Sequence, residues 1–171
     1  MNFVPEDFLK GLFSGDDERA QAAVDTLAHS TEPVQAALQE QICQGLASGD
    51  MDVDQRWWAL RALAELPADQ SRQALIQALL DPDPGVRQCA ALGLRKTPHI
   101  EALPALLAAL DDSDPLCADL AADTLVELGA PAQAALREVV CNGSEIARVR
   151  SQRALERFTL PARPTATIRA S

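Results

Sequence analysis

The segment PADQSRQALIQALLDPDP at residues 67–84 returns 31 positions later as PHIEALPALLAALDDSDP at residues 98–115, without a gap. Eight of the eighteen positions are identical: Pro67/Pro98, Ala74/Ala105, Leu75/Leu106, Ala78/Ala109, Leu79/Leu110, Asp81/Asp112, Asp83/Asp114 and Pro84/Pro115. The same offset aligns Ala59 with Ala90 and Ala121, and Leu63 with Leu94 and Leu125. A period that survives three copies marks an array of small units, none of which can bury its apolar face alone. The units must stack.

The punctuation between units points to helices. Ser14–Asp16 (SGD) recurs at Ser48–Asp50, and Asn142–Glu145 (NGSE) takes the matching slot near the end. These turns cut the chain into lengths of roughly 30–35 residues, each enough for two helices. Asp83-Pro84 and Asp114-Pro115 set an N-cap carboxylate before a proline at the first helical position. Pro82 forbids continuation of the preceding helix and disfavours helical geometry at Asp81. Leu103, Leu106, Leu107 and Leu110 follow the i, i+3, i+4, i+7 spacing of one buried stripe. The spacing predicts a capping helix at about 4–13, helix pairs at about 17–48, 53–81, 84–112 and 115–141, and a last helix at about 145–158.

Composition agrees. Apolar residues make up 47% of the chain, but aromatics only 4%, and tyrosine is absent. Ala and Leu dominate, and no strand-like alternation of Val, Ile and Thr occurs. The expected fold is therefore all-α, a short solenoid of about four helix pairs with terminal capping helices.

FLKGLFSGDDERAQAAVDTL and LLDPDPGVRQCAALGLRKTPHIEALPALLAAL resemble HEAT-like repeats of the short bacterial type shared with phycobilisome lyases. The resemblance spans about residues 8–158 and rests on the motif D-P-x-V-R-x-x-A-A-x-x-L-G. It implies a right-handed α-α superhelix with a concave inner surface. Two departures stand out: Cys117-Ala118 replaces Val-Arg in the fourth repeat, and Gln55-Arg56 occupies the slot in the second. The resemblance assigns residues 1–158 to one repeat domain. The remaining TLPARPTATIRAS at 159–171, rich in Pro, Thr and Arg without periodicity, reads as a disordered tail.

Charge narrows the range of partners. The chain carries a net −10, but six arginines against two glutamates give residues 145–171 a charge of +4, leaving −14 on residues 1–144. Such an acidic body repels phosphate backbones, so nucleic acid is not expected as a partner; this also argues against a resemblance to the DNA-binding alkylpurine glycosylases. The basic end is expected to neutralise the neighbouring repeat. No run approaches the roughly 20 apolar residues of a membrane span, and the first ten residues have no signal-peptide pattern. Cys43, Cys89, Cys117 and Cys141 lack CxxC spacing and sit in apolar helical contexts, as expected of reduced, buried thiols in a cytoplasmic protein.

Catalytic motifs are lacking. His29 and His99 have no His or Cys at ligand spacing, which leaves metal without a local signal and reads as surface or helix-end histidines. Deoxyhypusine hydroxylase, an iron enzyme of similar repeats, uses His-Glu pairs, whereas here Ser30 and Ile100 follow the histidines. No Gly-rich phosphate loop, G-x-S-x-G or paired carboxylate in an apolar setting occurs, so no cofactor and no catalytic residue is assigned.

Binding residues can be sought by register. Trp58 aligns with Cys89 and Leu120 and should be buried; Trp57 aligns with Gln88 and Asp119 and should face out. Arg61, one turn on, is placed to stack beside Trp57, and the two form a first candidate contact patch, unless Trp57 covers an irregular junction with the first repeat. A second candidate is a concave stripe of Glu40/Gln44, Gln73/Gln77, Pro104/Ala108 and Ala134/Glu138 on successive second helices. Arg87 recurs as Arg56, 31 residues before, and as Arg150, 63 after, so it reads as a joint residue bonding Asp81, Asp83, Asp112 or Asp114. The expected function is a non-catalytic scaffold or adaptor for another protein or peptide, with a basic surface fitting the charge. The alternative implied by the resemblance is a phycobilin lyase-type or phycobiliprotein turnover factor acting on chromophore attachment.

Overall fold

Each turn motif in the sequence ends one helix and caps the next. The computed structural model describes residues 5–159 apart from positions 28 and 67. The helices are α1 (Pro5–Leu12), α2 (Asp17–Leu27), α3 (Glu32–Ser48), α4 (Val53–Leu63), α5 (Ala68–Ala78), α6 (Pro84–Lys96), α7 (Leu103–Ala108), α8 (Pro115–Glu127), α9 (Ala130–Asn142) and α10 (Glu145–Thr159). Among the described residues no strand occurs, and the fold is an all-α solenoid. Residues 160–171, most of the expected tail, lie outside the described residues.

The helices form two layers. α2, α4, α6, α8 and α10 pack in succession in one, while α1, α3, α5, α7 and α9 make up the other, with α1 as the expected cap. The core lies between them, and the repeat residues fill it: Ala59, Ala90, Ala121, Leu63 and Leu125 are completely buried, and Leu94 nearly so. Alanine at these positions lets neighbouring helices approach closely. Gly93 goes further: a Cβ there would sit 2.9 Å from Leu75 Cδ2 and 3.3 Å from Ala64 Cβ.

The second helix of the third pair departs from the expected regular one. It runs as a 3-10 turn (Ile100–Ala102), the short α7, and another 3-10 turn (Ala109–Asp111). His99 caps it, its Nδ1 accepting from the Glu101 N–H at 3.3 Å. Pro104 falls in the first turn of α7, where it removes a donor that the preceding residues would otherwise use in regular helix. Leu106 and Leu110 still reach the core, with Leu103 and Leu107 half-buried beside them.

The joints carry the period most faithfully. Asp83 Oδ1 accepts from Val86 N–H at 3.1 Å and Asp114 Oδ1 from Cys117 N–H at 2.8 Å, capping α6 and α8. Asp52 closes a capping box with Gln55 at the start of α4. Two residues before each proline-linked cap sits an aspartate that holds an arginine. Arg56 grips Asp81 through Nε and Nη2 at 2.7 and 3.0 Å, and Arg87 grips Asp112 through the same two nitrogens at 2.7 and 2.8 Å. Asp81 also accepts from Asp83 N–H, and Asp112 from Asp114 N–H. Arg56 Nη1 donates back to the Met51 carbonyl, and Arg87 Nη1 to those of Asp81 and Pro82. Each arginine thus fastens the joint behind it to the joint ahead.

The array changes at the fourth repeat. Ala118 stands in Arg87's position and Gly143 in that of Asp112, so both halves of the pair are missing together. Arg150 is not the equivalent of Arg87. Arg56 and Arg87 lie four residues after their N-caps, whereas Arg150 lies six after Ser144, which caps α10 by accepting from Ala147 N–H. From that different face it donates to the carbonyls of Leu110 and Asp112 at 2.5 and 3.0 Å. It therefore serves the backbone acceptor that an arginine at position 118 would have served.

Candidate partner-binding surface

The layer of first helices is unevenly stacked. α4, α6 and α8 pack closely on one another, but α2 and α4 touch far less. The 17-residue α3 with its turns separates α2 from α4 by more sequence than the 31-residue period allows, and α4 cannot nest on α2 as α6 nests on α4. The resulting groove has a volume of about 820 Å³ and is lined by Asp17, Glu18, Gln21, Ala22, Asp25, Asp54, Trp57 and Trp58.

Both tryptophans are half-buried and pack on the core with one flank. Their rings meet edge to face with centroids 4.8 Å apart. Trp58 was expected to be buried like Cys89 and Leu120; it reaches the groove because α2 stands too far off to cover it. Trp57 does two things. Besides lining the groove it lies over the joint to the following repeat, where a Cβ on Gly85 would be 3.9 Å from its Cδ1. Gln88 at the same register also serves a joint, donating to Asp114 Oδ1 at 2.9 Å. So position 57 belongs to a forward joint, rather than covering a junction with the first repeat alone.

Arg61 does not stack on Trp57. It pairs instead with Glu65, which also receives Lys96 Nζ at 2.5 Å from the next first helix. The carboxylate of Glu65 is penalised by partial burial, yet Lys96 and Arg61 hold its pKa below the ordinary value. Similar ties end the neighbouring helices: Asp123 receives Arg95 at 3.1 Å and Arg157 at 2.5 Å. Through Arg157 and Arg150, the basic α10 bonds the preceding repeats, as its charge suggested.

The residues of the expected stripe, Glu40, Gln44, Gln73, Gln77, Pro104, Ala108, Ala134 and Glu138, are all exposed, as register requires. Gln44 donates to Glu40 at 3.1 Å, and the two line a cleft of about 470 Å³ on α3. Gln73 and Gln77 line another of about 420 Å³ between α3 and α5, with Cys43 and Ala47 common to both. The second helices pack on one another less closely than the first ones, which leaves these adjoining clefts open.

Three of the four thiols are chemically quiet. Burial pushes Cys89 and Cys117 up to about 12; at Cys117 the hydrogen bond to Asp112 adds to this. Burial also raises Cys43. Protonated thiols of this kind are poor nucleophiles and poor metal ligands. Cys141, expected to be buried, is exposed on the last turn of α9. Among the described residues no group of three or more His, Cys, Asp or Glu is arranged to hold a metal ion, and no helix is long and apolar enough to cross a membrane.

Comparison with known proteins then fixes the architecture. The family model for HEAT repeats matches residues 39–125, from α3 through α8. The chain belongs to the HEAT-repeat family. No curated protein sequence matches this HEAT-repeat protein. Among solved structures it is similar to the complex of CpcE and CpcF of phycocyanin lyase from Nostoc sp. PCC7120, with a TM-score of 0.63, 22% identity, and 88% of this chain and 96% of that chain covered. It is also similar to an engineered protein at a TM-score of 0.52 and 21% identity, covering 91% of this chain and 79% of that one. At these identities the likeness is one of fold.

Proposed function

We propose that this HEAT-repeat protein is a non-catalytic scaffold that binds another protein through the faces between its joints. The observation that carries this reading is the groove between α2 and α4, where Trp58, at a register a regular repeat buries, lies open to a partner beside Trp57. Trp dominates the centres of protein interfaces because it offers a large, stiff contact area. The arginines at the joints are committed to carboxylates and carbonyls, and burial keeps the Cys89 and Cys117 thiols protonated, so neither set supplies a reactive group. The exposed amide residues Gln44, Gln73 and Gln77 offer a second, shallower surface. A pull-down with the purified chain, compared with Trp57→Ala, tests the reading: recovery of a defined partner that falls about tenfold or more with the variant is expected. Equal recovery with the variant would remove Trp57 from the interface.

A second reading follows from the likeness to the phycocyanin lyase complex, which extends over nearly all of both chains. In it the chain acts on chromophore attachment to phycobiliproteins or on their turnover. Mixing the protein with a bilin should then produce a new visible band that saturates at one equivalent; a flat titration would count against it.

A further inference from the structure

The α2/α4 groove is chemically one-sided. Its walls carry four carboxylates, Asp17, Glu18 and Asp25 from α2 and Asp54 from α4, and no lysine or arginine lines it. Its floor is the edge-to-face pair Trp57 and Trp58. Gln21 donates to Asp25 at 2.7 Å, fixing one carboxylate in place. An aromatic floor inside an acidic rim is complementary to a cation on an alkyl stem: the stem covers indole, the cation lies on a ring face, and the rim supplies counter-charge. Neutral and anionic segments gain nothing from the rim, and the body of the chain, at −14 over residues 1–144, adds long-range attraction for cations alone. The groove is open rather than enclosed, and its lining runs along α2 from Asp17 to Asp25, which suits a chain segment better than a small molecule.

We infer that the α2/α4 groove docks a basic segment of a partner protein, taking its arginine or lysine side chains onto Trp57 and Trp58 between the carboxylates of α2 and α4. This rests on the scaffold reading and names the chemistry of the partner. Electrostatic capture of this sort gives fast association and a strong dependence on salt.

The chain itself supplies the probe. Trp57 and Trp58 are its only tryptophans and it has no tyrosine, so its fluorescence reports the groove alone. Titration of the full chain with capped hexa-arginine should change the emission and saturate, while capped hexa-glutamate and a Gly-Ser peptide of equal length should leave it unchanged. The double variant Glu18→Gln/Asp54→Asn should weaken hexa-arginine binding by about tenfold, whereas Glu127→Gln/Glu145→Gln, which removes the same charge away from the groove, should weaken it less than twofold. Equal losses in the two variants, or no emission change with hexa-arginine, would overturn the inference. Quenching of the unmodified chain needs no variant: caesium should quench more strongly than iodide, and the reverse order would also overturn it. The competing occupant is the chain's own basic end. Arg163→Ser/Arg169→Ser should leave the emission and the affinity unchanged; a shift in either would hand the groove to that segment. If hexa-arginine binds as described but no protein partner is recovered, the scaffold reading fails alone. If a partner is recovered equally with Glu18→Gln/Asp54→Asn, the groove inference fails and the scaffold reading stands.

Discussion

Arg87→Ala tests whether the joints hold the solenoid together. The substitution deletes four hydrogen bonds: two to Asp112 and one each to the carbonyls of Asp81 and Pro82. The side chains of the pair are only 12% and 8% exposed, so the carboxylate left behind is poorly solvated. Removing one partner of a buried pair typically costs about 3–5 kcal/mol. Asp112 keeps the Asp114 N–H and the Cys117 thiol as donors, which reduces the expected loss to about 2–4 kcal/mol. For a domain of this size that is a fall of about 5–15 °C in Tm. Urea unfolding followed by helical circular dichroism gives the free energy, and scanning calorimetry gives the Tm. Burial also sets a ranking. Arg56→Ala should cost less, since Arg56 is 21% exposed, and Arg95→Ala, in a pair 41% and 33% exposed, about 1 kcal/mol or less. Arg87→Lys should recover less than half of the loss, because an ammonium cannot present two parallel donors to Asp112. Binding of a basic peptide to Arg87→Ala below its melting point should match the parent. A Tm within about 2 °C of the parent would refute the reasoning, as would an Arg95→Ala cost equal to that of Arg87→Ala.

Three further outcomes follow. Burial opposes the Asp112 carboxylate, but Arg87, Asp114 N–H and Cys117 together hold its pKa below the ordinary value, so the folded state binds its proton later than the unfolded chain. Its contribution is complete above the ordinary aspartate value and is lost as pH falls below about 4; Asp112→Asn should flatten the acid limb of a stability–pH curve, and an unchanged limb would contradict this. Gly49 ends α3 at φ +76°, so Gly49→Ala should lower stability by about 1 kcal/mol in urea unfolding, with no change expected if that backbone were free to relax. A maleimide should label Cys141 first and Cys43 slowly in the folded protein, and Cys89 and Cys117 only on unfolding; fast native labelling of Cys117 would break the account of its joint.

Much of this was legible from residues alone, because the period repeats the same physics. The positions of Leu63, Leu94 and Leu125 say which face is buried, and Asp83-Pro84 and Asp114-Pro115 say where helices start. The exposure of Glu40, Gln44, Gln73, Gln77 and Glu138 follows from the same register. Averaging over copies fails where a copy is irregular. Trp58 was assigned burial because Cys89 and Leu120 are buried, yet burial there requires a neighbour that α2, set off by the longer first unit, does not provide. Arg61 was placed beside Trp57 by helical spacing, but Glu65 and Lys96 decide its direction, and Lys96 comes from the next repeat. Arg150 matched Arg87 by sequence offset; counting from the N-cap Ser144 would have separated them. The acidic rim is not legible in the sequence because Asp17, Glu18 and Asp25 are joined to Asp54 only by packing across the array.

The joint makes the middle of this molecule an interchangeable part. Residues 84–114 contain Arg87, the Asp112 it grips, and the Asp114 that caps whatever helix comes next. A second copy spliced in after Asp114 would find its cap waiting, its arginine facing the carbonyl of Asp112, and its own aspartates ready for α8. The bonds of the arginine–aspartate joint would be met at both seams without changing a residue. The end-of-helix ties of Lys96 and Arg95 would be kept only once each, and the rod would lengthen by about one helix spacing of 8–10 Å. Such a chain can grow or shrink by whole units. The ladder of arginine joints ends where Ala118 and Gly143 drop both partners at once, and there Arg150 donates to the Asp112 carbonyl instead.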